Sequence, residues 1–183
     1  MTTPADQFRS AAAAFTERVE GVPDGAWEQP APCPGWVARD VVRHLVEWVP
    51  GFLTFDGVPP IVVTADVDAD PAAAWAQLRD QLQAMLDDPE LAGSEVTHQY
   101  VGTYVLQDAV TQFVTADVFM HTWDLARATG QPEQLDEAAA EAMLSGMQPA
   151  DEMMRGEHFG PKVEPPEGAD HTTRLMAFVG RQV

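Results

Sequence analysis

The stretch Asp117-Val118-Phe119-Met120-His121-Thr122-Trp123-Asp124-Leu125-Ala126-Arg127-Ala128-Thr129-Gly130 decides the fold class and poses the first functional question. Its apolar residues continue a helical period begun by Val110, Phe113 and Val114, and Gly130 stands where a helix end favours a left-handed residue. The pattern therefore predicts a helix over 107–129. On such a helix Asp117 and His121 differ by about 40° around the axis and about 6 Å along it, so both side chains can reach one cation. Asp124 falls on the same stripe, either as a further ligand or as the carboxylate that orients His121. The competing reading gives Asp117 an ordinary ion pair with a basic neighbour.

The rest of the chain also reads as helices. Phe8, Ala12, Phe15 and Val19 recur at helical spacing over residues 5–20, and Gly21, Pro23 and Gly25 stop that helix. Pro30, Pro32 and Pro34 make 27–35 a stiff loop. A second helix is expected from Trp36 through Leu53, past Pro50-Gly51, with Val37, Val41, Val42, Leu45, Val46 and Val49 on its apolar side and His44 among them. A third spans 71–87 with Ala74, Leu78, Leu82 and Met85. Val96, Tyr100, Val101, Thr103 and Tyr104 suggest an extended segment within 95–104. A fifth helix over 135–153, a Pro-rich loop over 156–170 and a last short helix over 171–181, packing Leu175, Met176 and Phe178, complete the reading. With no repeat and no long linker, residues 1–183 are expected to form a single all-α domain.

Composition narrows the function. The chain carries 29 acidic and 10 basic residues, and a net charge of −19 repels phosphate backbones and anionic headgroups, so neither nucleic acid nor a membrane surface is expected as a partner. No apolar run approaches the ~20 residues that span a bilayer. The first residues lack the pattern of a secretory signal, and a cytoplasmic location is expected. The single cysteine, Cys33, excludes thiolate-rich zinc sites, so any metal is held by nitrogen and oxygen. Cys33 itself reads as a turn residue in Pro32-Cys33-Pro34-Gly35.

Other groups with chemical potential are Arg39, Arg43 and Arg127, whose guanidiniums can clamp a carboxylate of a substrate or thiol cofactor, or simply make ion pairs. Glu47, three residues after His44, can act as a general base or lie in a salt bridge. Trp36, Trp48 and Trp123 are pocket walls or core. His98, His158 and His171 fall in segments read as loop, loop and helix start, with His98 the best additional pocket residue. Met143, Met147, Met153 and Met154 suit either core packing or an adaptable homodimer interface. His44, taken alone, reads first as a core histidine bonded to a backbone carbonyl and only second as a metal ligand.

The segment Pro32-Cys33-Pro34-Gly35-Trp36-Val37-Ala38-Arg39-Asp40-Val41-Val42-Arg43-His44-Leu45 resembles the opening signature of the DinB-like, mycothiol-dependent maleylpyruvate isomerase superfamily. The 117–130 stretch resembles its second signature, in a metal-binding subfamily. Phe159-Gly160-Pro161 and Arg174-Leu175-Met176-Ala177-Phe178-Val179-Gly180-Arg181 resemble its C-terminal segment. The resemblance implies an up-down-down-up four-helix bundle with additional short C-terminal helices. It also implies a zinc or nickel ion held by His44, Asp117 and His121. One departure stands out: the maleylpyruvate isomerases have Glu where this chain has Asp117, one methylene shorter.

By that resemblance, the expected function is a metal-dependent transferase or isomerase that uses mycothiol or a similar small thiol against an electrophilic substrate. Among the ligating and neighbouring groups, Glu47, Asp124 and Arg127 are candidates for catalysis, and Arg39, Arg43 and Trp48 for cofactor binding. Three protein ligands leave an open position, as catalytic zinc sites do. A non-catalytic metal-binding module, a structural bundle with an empty site, and a hydrolase using metal-bound hydroxide are the alternatives.

Overall fold

The computed structural model describes residues 2–98, 102–156 and 159–183, with only the backbone described at His98. Helix α1 (Pro4–Glu20) begins at Thr3, whose hydroxyl accepts the Asp6 N–H, and buries Phe8, Ala12, Phe15 and Val19. Helix α2 (Ala38–Phe52) buries Val41, Val42, Leu45 and Val49 completely. Helix α3 (Pro71–Asp87) is capped by Asp70, which accepts the Ala73 N–H at 2.9 Å, satisfying one of the orphan donors of its first turn. A short α4 (Pro89–Ala92) leads to an antiparallel hairpin, β1 (Glu95–His98) and β2 (Gly102–Val105), in which Val96 faces Tyr104 and Thr97 faces Thr103. The expected extended segment is thus a hairpin, with Tyr100 and Val101 outside the described residues.

Helix α5 (Leu106–Ala109), a π-helical turn Val110–Thr115 and α6 (Ala116–Thr129) follow without a break in right-handed helical conformation. Helix α1 packs on α3 and α6, and α2 also packs on α3 and α6, so the four close a ring. This is the all-α, DinB-like bundle that the periodicity and the resemblance imply. Trp75 of α3 and Phe15 of α1 meet edge to face with centroids 4.7 Å apart, and the Trp75 indole N–H donates to Thr16 Oγ1 at 2.8 Å.

A second core lies on another face of α6, where Phe119, Met120 and Trp123 meet Ala140, Leu175, Met176, Phe178 and Val179. The later residues come from α7 (Glu137–Met147) and the α9 segment (His171–Phe178), with α8 (Asp151–Met154) between them. Helix α6 is consequently buried nearly all round, which explains why its sequence shows no clean polar face.

Three of the boundaries that differ from the sequence reading have a clear local reason. Helix α2 starts at Ala38 rather than Trp36, because Val37 is extended and its N–H is taken by the Asp40 carboxylate at 2.9 Å. The fifth helix ends at Met147 and passes into a 3-10 turn where Pro149 lacks the N–H needed to continue. The last helix ends at Phe178, and Gly180 (φ +90°) turns the chain out of it. Met143 and Met147 pack against the second core, while Met153 is exposed. Among the described residues no helix is long and apolar enough to cross a membrane.

Leu78 is fully buried in α3. Leu78→Ala is expected to lower the unfolding free energy by about 2–5 kcal/mol, and Asp70→Ala by about 1 kcal/mol, in denaturant titrations.

Candidate metal centre

His44 and Trp48 stand one turn apart on α2, and Asp117, His121 and Asp124 occupy one stripe of α6, which packs against it. The contact places His44 Nε2 3.0 Å from Asp117 Oδ2, and His121 Nε2 3.4 Å from Asp117 Oδ1. The Trp48 indole N–H donates to the same Asp117 Oδ2 at 3.0 Å. One ligand atom from each of His44, Asp117 and His121 lies within 4.8 Å of the others. His121 is almost fully buried, whereas the His44 and Asp117 side chains keep 30% and 20% of their exposure, so the cluster opens on one side.

The loop ahead of α2 supplies the cover. Cys33-Pro34-Gly35-Trp36 is a β-turn, closed by the Trp36 N–H to the Cys33 carbonyl at 3.1 Å, and Gly35 (φ +80°) takes the left-handed position that type II turns require. Because Trp36 belongs to this turn and not to α2, its ring can stack on His121 at 5.7 Å and tilt against His44 at 5.1 Å.

Behind His121 sits Asp124, fully buried and heavily bonded. Its Oδ2 accepts from His121 Nδ1 at 2.8 Å and from the Cys33 thiol at 3.4 Å, and Arg181 clamps both oxygens at 2.9 Å. An ionised carboxylate only accepts, so His121 Nδ1 carries the proton and Nε2 faces Asp117.

Burial pushes the Asp117 carboxyl up, but the His121 charge and the hydrogen bonds from His121 and His44 outweigh it and hold the group well below the usual carboxylate range. Burial works in the opposite sense on His121, where Asp117 and Asp124 nevertheless hold the imidazole well above its ordinary value. Asp124 is likewise raised by burial and lowered by more through His121 and Arg181, to about 2. Burial raises the Cys33 thiol.

Among the described residues two trios bring possible ligand atoms within 4.8 Å of one another, and chemistry separates them. In Cys33, His121 and Asp124, the carboxylate is already spanned by the Arg181 guanidinium, which would repel a cation. In His44, Asp117 and His121, two imidazole nitrogens and a carboxylate converge with no lysine or arginine paired to that carboxylate among the described residues, and separations of 3.0 and 3.4 Å are close to the roughly 3.4 Å between ligand atoms of a tetrahedral zinc site. This trio fits a divalent cation.

The remaining candidates are engaged elsewhere. Arg39 pairs with Glu28 at 2.7 Å, and Arg43 with Asp40 and Asp68. Glu47 is exposed and lies 3.8 Å from Arg43. Arg127 stacks over Trp123 and reaches Glu133 at 3.7 Å. His171 begins α9 beside Glu141, at 3.9 Å, and His158 and the His98 side chain lie outside the described residues. Of the catalytic and cofactor candidates, Asp124 and Trp48 touch the cluster. Sequence reasoning missed Arg181 and the Cys33 contact. Each sits inside a stretch that resembles the family's signatures, but nothing in the spacing joins either residue to Asp124.

The all-α bundle is the DinB-like fold that the resemblance implies. The chain belongs to the mycothiol maleylpyruvate isomerase N-terminal domain family, whose model matches residues 8–126. Two uncharacterized proteins of Mycobacterium tuberculosis, from two strains, are each 30% identical to it over 160 residues, covering 84% of this chain and 84% of their own. No solved structure matches significantly.

The shifted groups set the pH behaviour of the metal-free protein. A carboxyl held down, as Asp124 is, contributes stability that is complete above its unfolded value of 3.8 and is lost as pH falls through about 2. His121, held up, contributes stability that is complete below 6.5 and is lost as pH rises toward its folded value. Melting curves in chelator should therefore fall off below about pH 4 and again above neutrality, and His121→Gln should remove the alkaline limb.

Proposed function

We propose that His44, Asp117 and His121 hold one divalent cation, zinc or nickel, and that the protein is an enzyme of the mycothiol-dependent transferase or isomerase type. The observation that carries this reading is the convergence of two imidazole Nε2 atoms and the Asp117 carboxylate at a half-open position between α2 and α6. When bound, such a cation lowers the pKa of a coordinated thiol toward neutrality and makes it a nucleophile for an electrophilic substrate.

The chain's own groups have separable tasks. His44 and His121 offer nitrogen ligands, and Asp117 offers a carboxylate that offsets part of the cation's charge. Trp48 fixes the Asp117 carboxylate through its indole N–H, and Trp36 shields the two imidazoles from water on its side. The partly exposed edge of His44 leaves the approach for thiol and substrate. Cys33 is no substitute nucleophile: it is buried, its thiol donates to Asp124, and burial raises its pKa. The thiol therefore comes from a small molecule. The half-buried rings of Trp48, Phe52 and Phe113, in successive contact, give that molecule or its electrophile an apolar wall.

Purified protein is expected to hold close to one equivalent of metal by elemental analysis, and His121→Ala to lose it while keeping most of its helicity. The metal-loaded protein should accelerate consumption of an electrophile such as a bimane only when mycothiol or a close analogue is present. Absence of metal after titration, or retention of wild-type metal content by His121→Ala, contradicts the ligand set. Metal binding without thiol dependence contradicts the reaction and leaves a metal-binding module.

A further inference from the structure

We infer that Arg181, in the C-terminal segment beyond the family-matched residues 8–126, is a positioning residue of the metal centre, acting through Asp124 on His121. The inference rests on the ligand set proposed above. A ligating histidine binds well only when its other ring nitrogen is fixed, and that partner must itself be held. Here the chain of contacts has three links. His121 Nδ1 meets Asp124 Oδ2 at 2.8 Å, and Arg181 Nε and Nη2 meet Asp124 Oδ1 and Oδ2 at 2.9 Å each, the two-point fork that lysine cannot reproduce. Asp124 is fully buried, so without the guanidinium no solvent compensates its charge and the carboxylate is free to turn.

The backbone is built to deliver this arginine. At the end of α9 the Gly180 N–H bonds to the Ala177 carbonyl at 3.0 Å and the Arg181 N–H to the Met176 carbonyl at 2.9 Å, the paired closure of a Schellman turn. That turn needs the left-handed Gly180, and a Cβ there would come within 3.0 Å of the Pro161 carbonyl oxygen. The segment after α9 is thus part of the working unit and not an appendage.

The test compares Arg181→Ala and Arg181→Lys with Arg155→Ala. Arg155 also pins the tail, donating to the carbonyls of Phe178 at 2.7 Å and Gly160 at 2.9 Å, but makes no bond to Asp124. Zinc dissociation constants by chelator competition are expected to rise about 10–100-fold in Arg181→Ala, less in Arg181→Lys, and to stay near wild type in Arg155→Ala. On the metal-free proteins, the hydrogen-bonded His121 Nδ1–H resonance should be present in wild type and Arg155→Ala and lost or shifted in Arg181→Ala. If Arg181→Ala is too unstable to assay, Arg181→Lys gives the same comparison. Lower melting temperature with unchanged zinc affinity and an unchanged ring N–H signal overturns the inference, as does equal weakening by Arg155→Ala. Wild-type protein that binds no zinc refutes the ligand set instead, while the ring N–H signal still decides the role of Arg181.

Discussion

The structure depends on how one fully buried carboxylate is satisfied. Asp124 lies between the bundle and the second core, where an unpaired charge would cost several kcal/mol, and four donor contacts from three side chains keep it ionised. Those contacts tie together the turn before α2, the stripe of α6 and the segment after α9. They also decide the orientation of His121, and therefore which nitrogen faces Asp117. The site's geometry is in this sense a consequence of burying Asp124 well.

The helix contacts explain why two kinds of residue share α6. Val118 and Leu125 belong to the bundle core, Phe119, Met120 and Trp123 to the second core, and Asp117, His121 and Asp124 to the stripe facing α2 and the Cys33 turn. A helix covered on all sides positions its side chains more rigidly than a surface helix does, which suits the proposed metal site, whose ligands would have to hold to within fractions of an ångström. The shorter Asp117 is accommodated by direct bonding: its carboxylate meets His44, Trp48 and His121 without a longer side chain.

Much of this was legible in the sequence, for physical reasons. Helices α1, α2, α3 and α6 were visible because their apolar residues repeat at helical spacing, and Asp117 with His121 because four residues make about one turn. His44 was not reachable that way, since its partner lies on another helix and only the family signature joined them. Arg181 was invisible as a site residue because its role depends on a turn at Gly180 and on packing of the tail across α6, neither of which periodicity encodes. The roles entertained for Arg39, Arg43, Arg127 and Glu47 were open for the same reason. Charge type was readable, but their acidic and basic neighbours became evident only once the chain was folded.

The central claim is that two imidazoles and one carboxylate, without sulfur, hold the metal. X-ray absorption on zinc-loaded protein, free of small thiols, tests it most directly. The account expects nitrogen and oxygen neighbours at about 2.0–2.2 Å with the multiple-scattering pattern of two imidazoles, reduced to one in His44→Ala. A sulfur neighbour at about 2.3 Å would place the metal at Cys33 and contradict it.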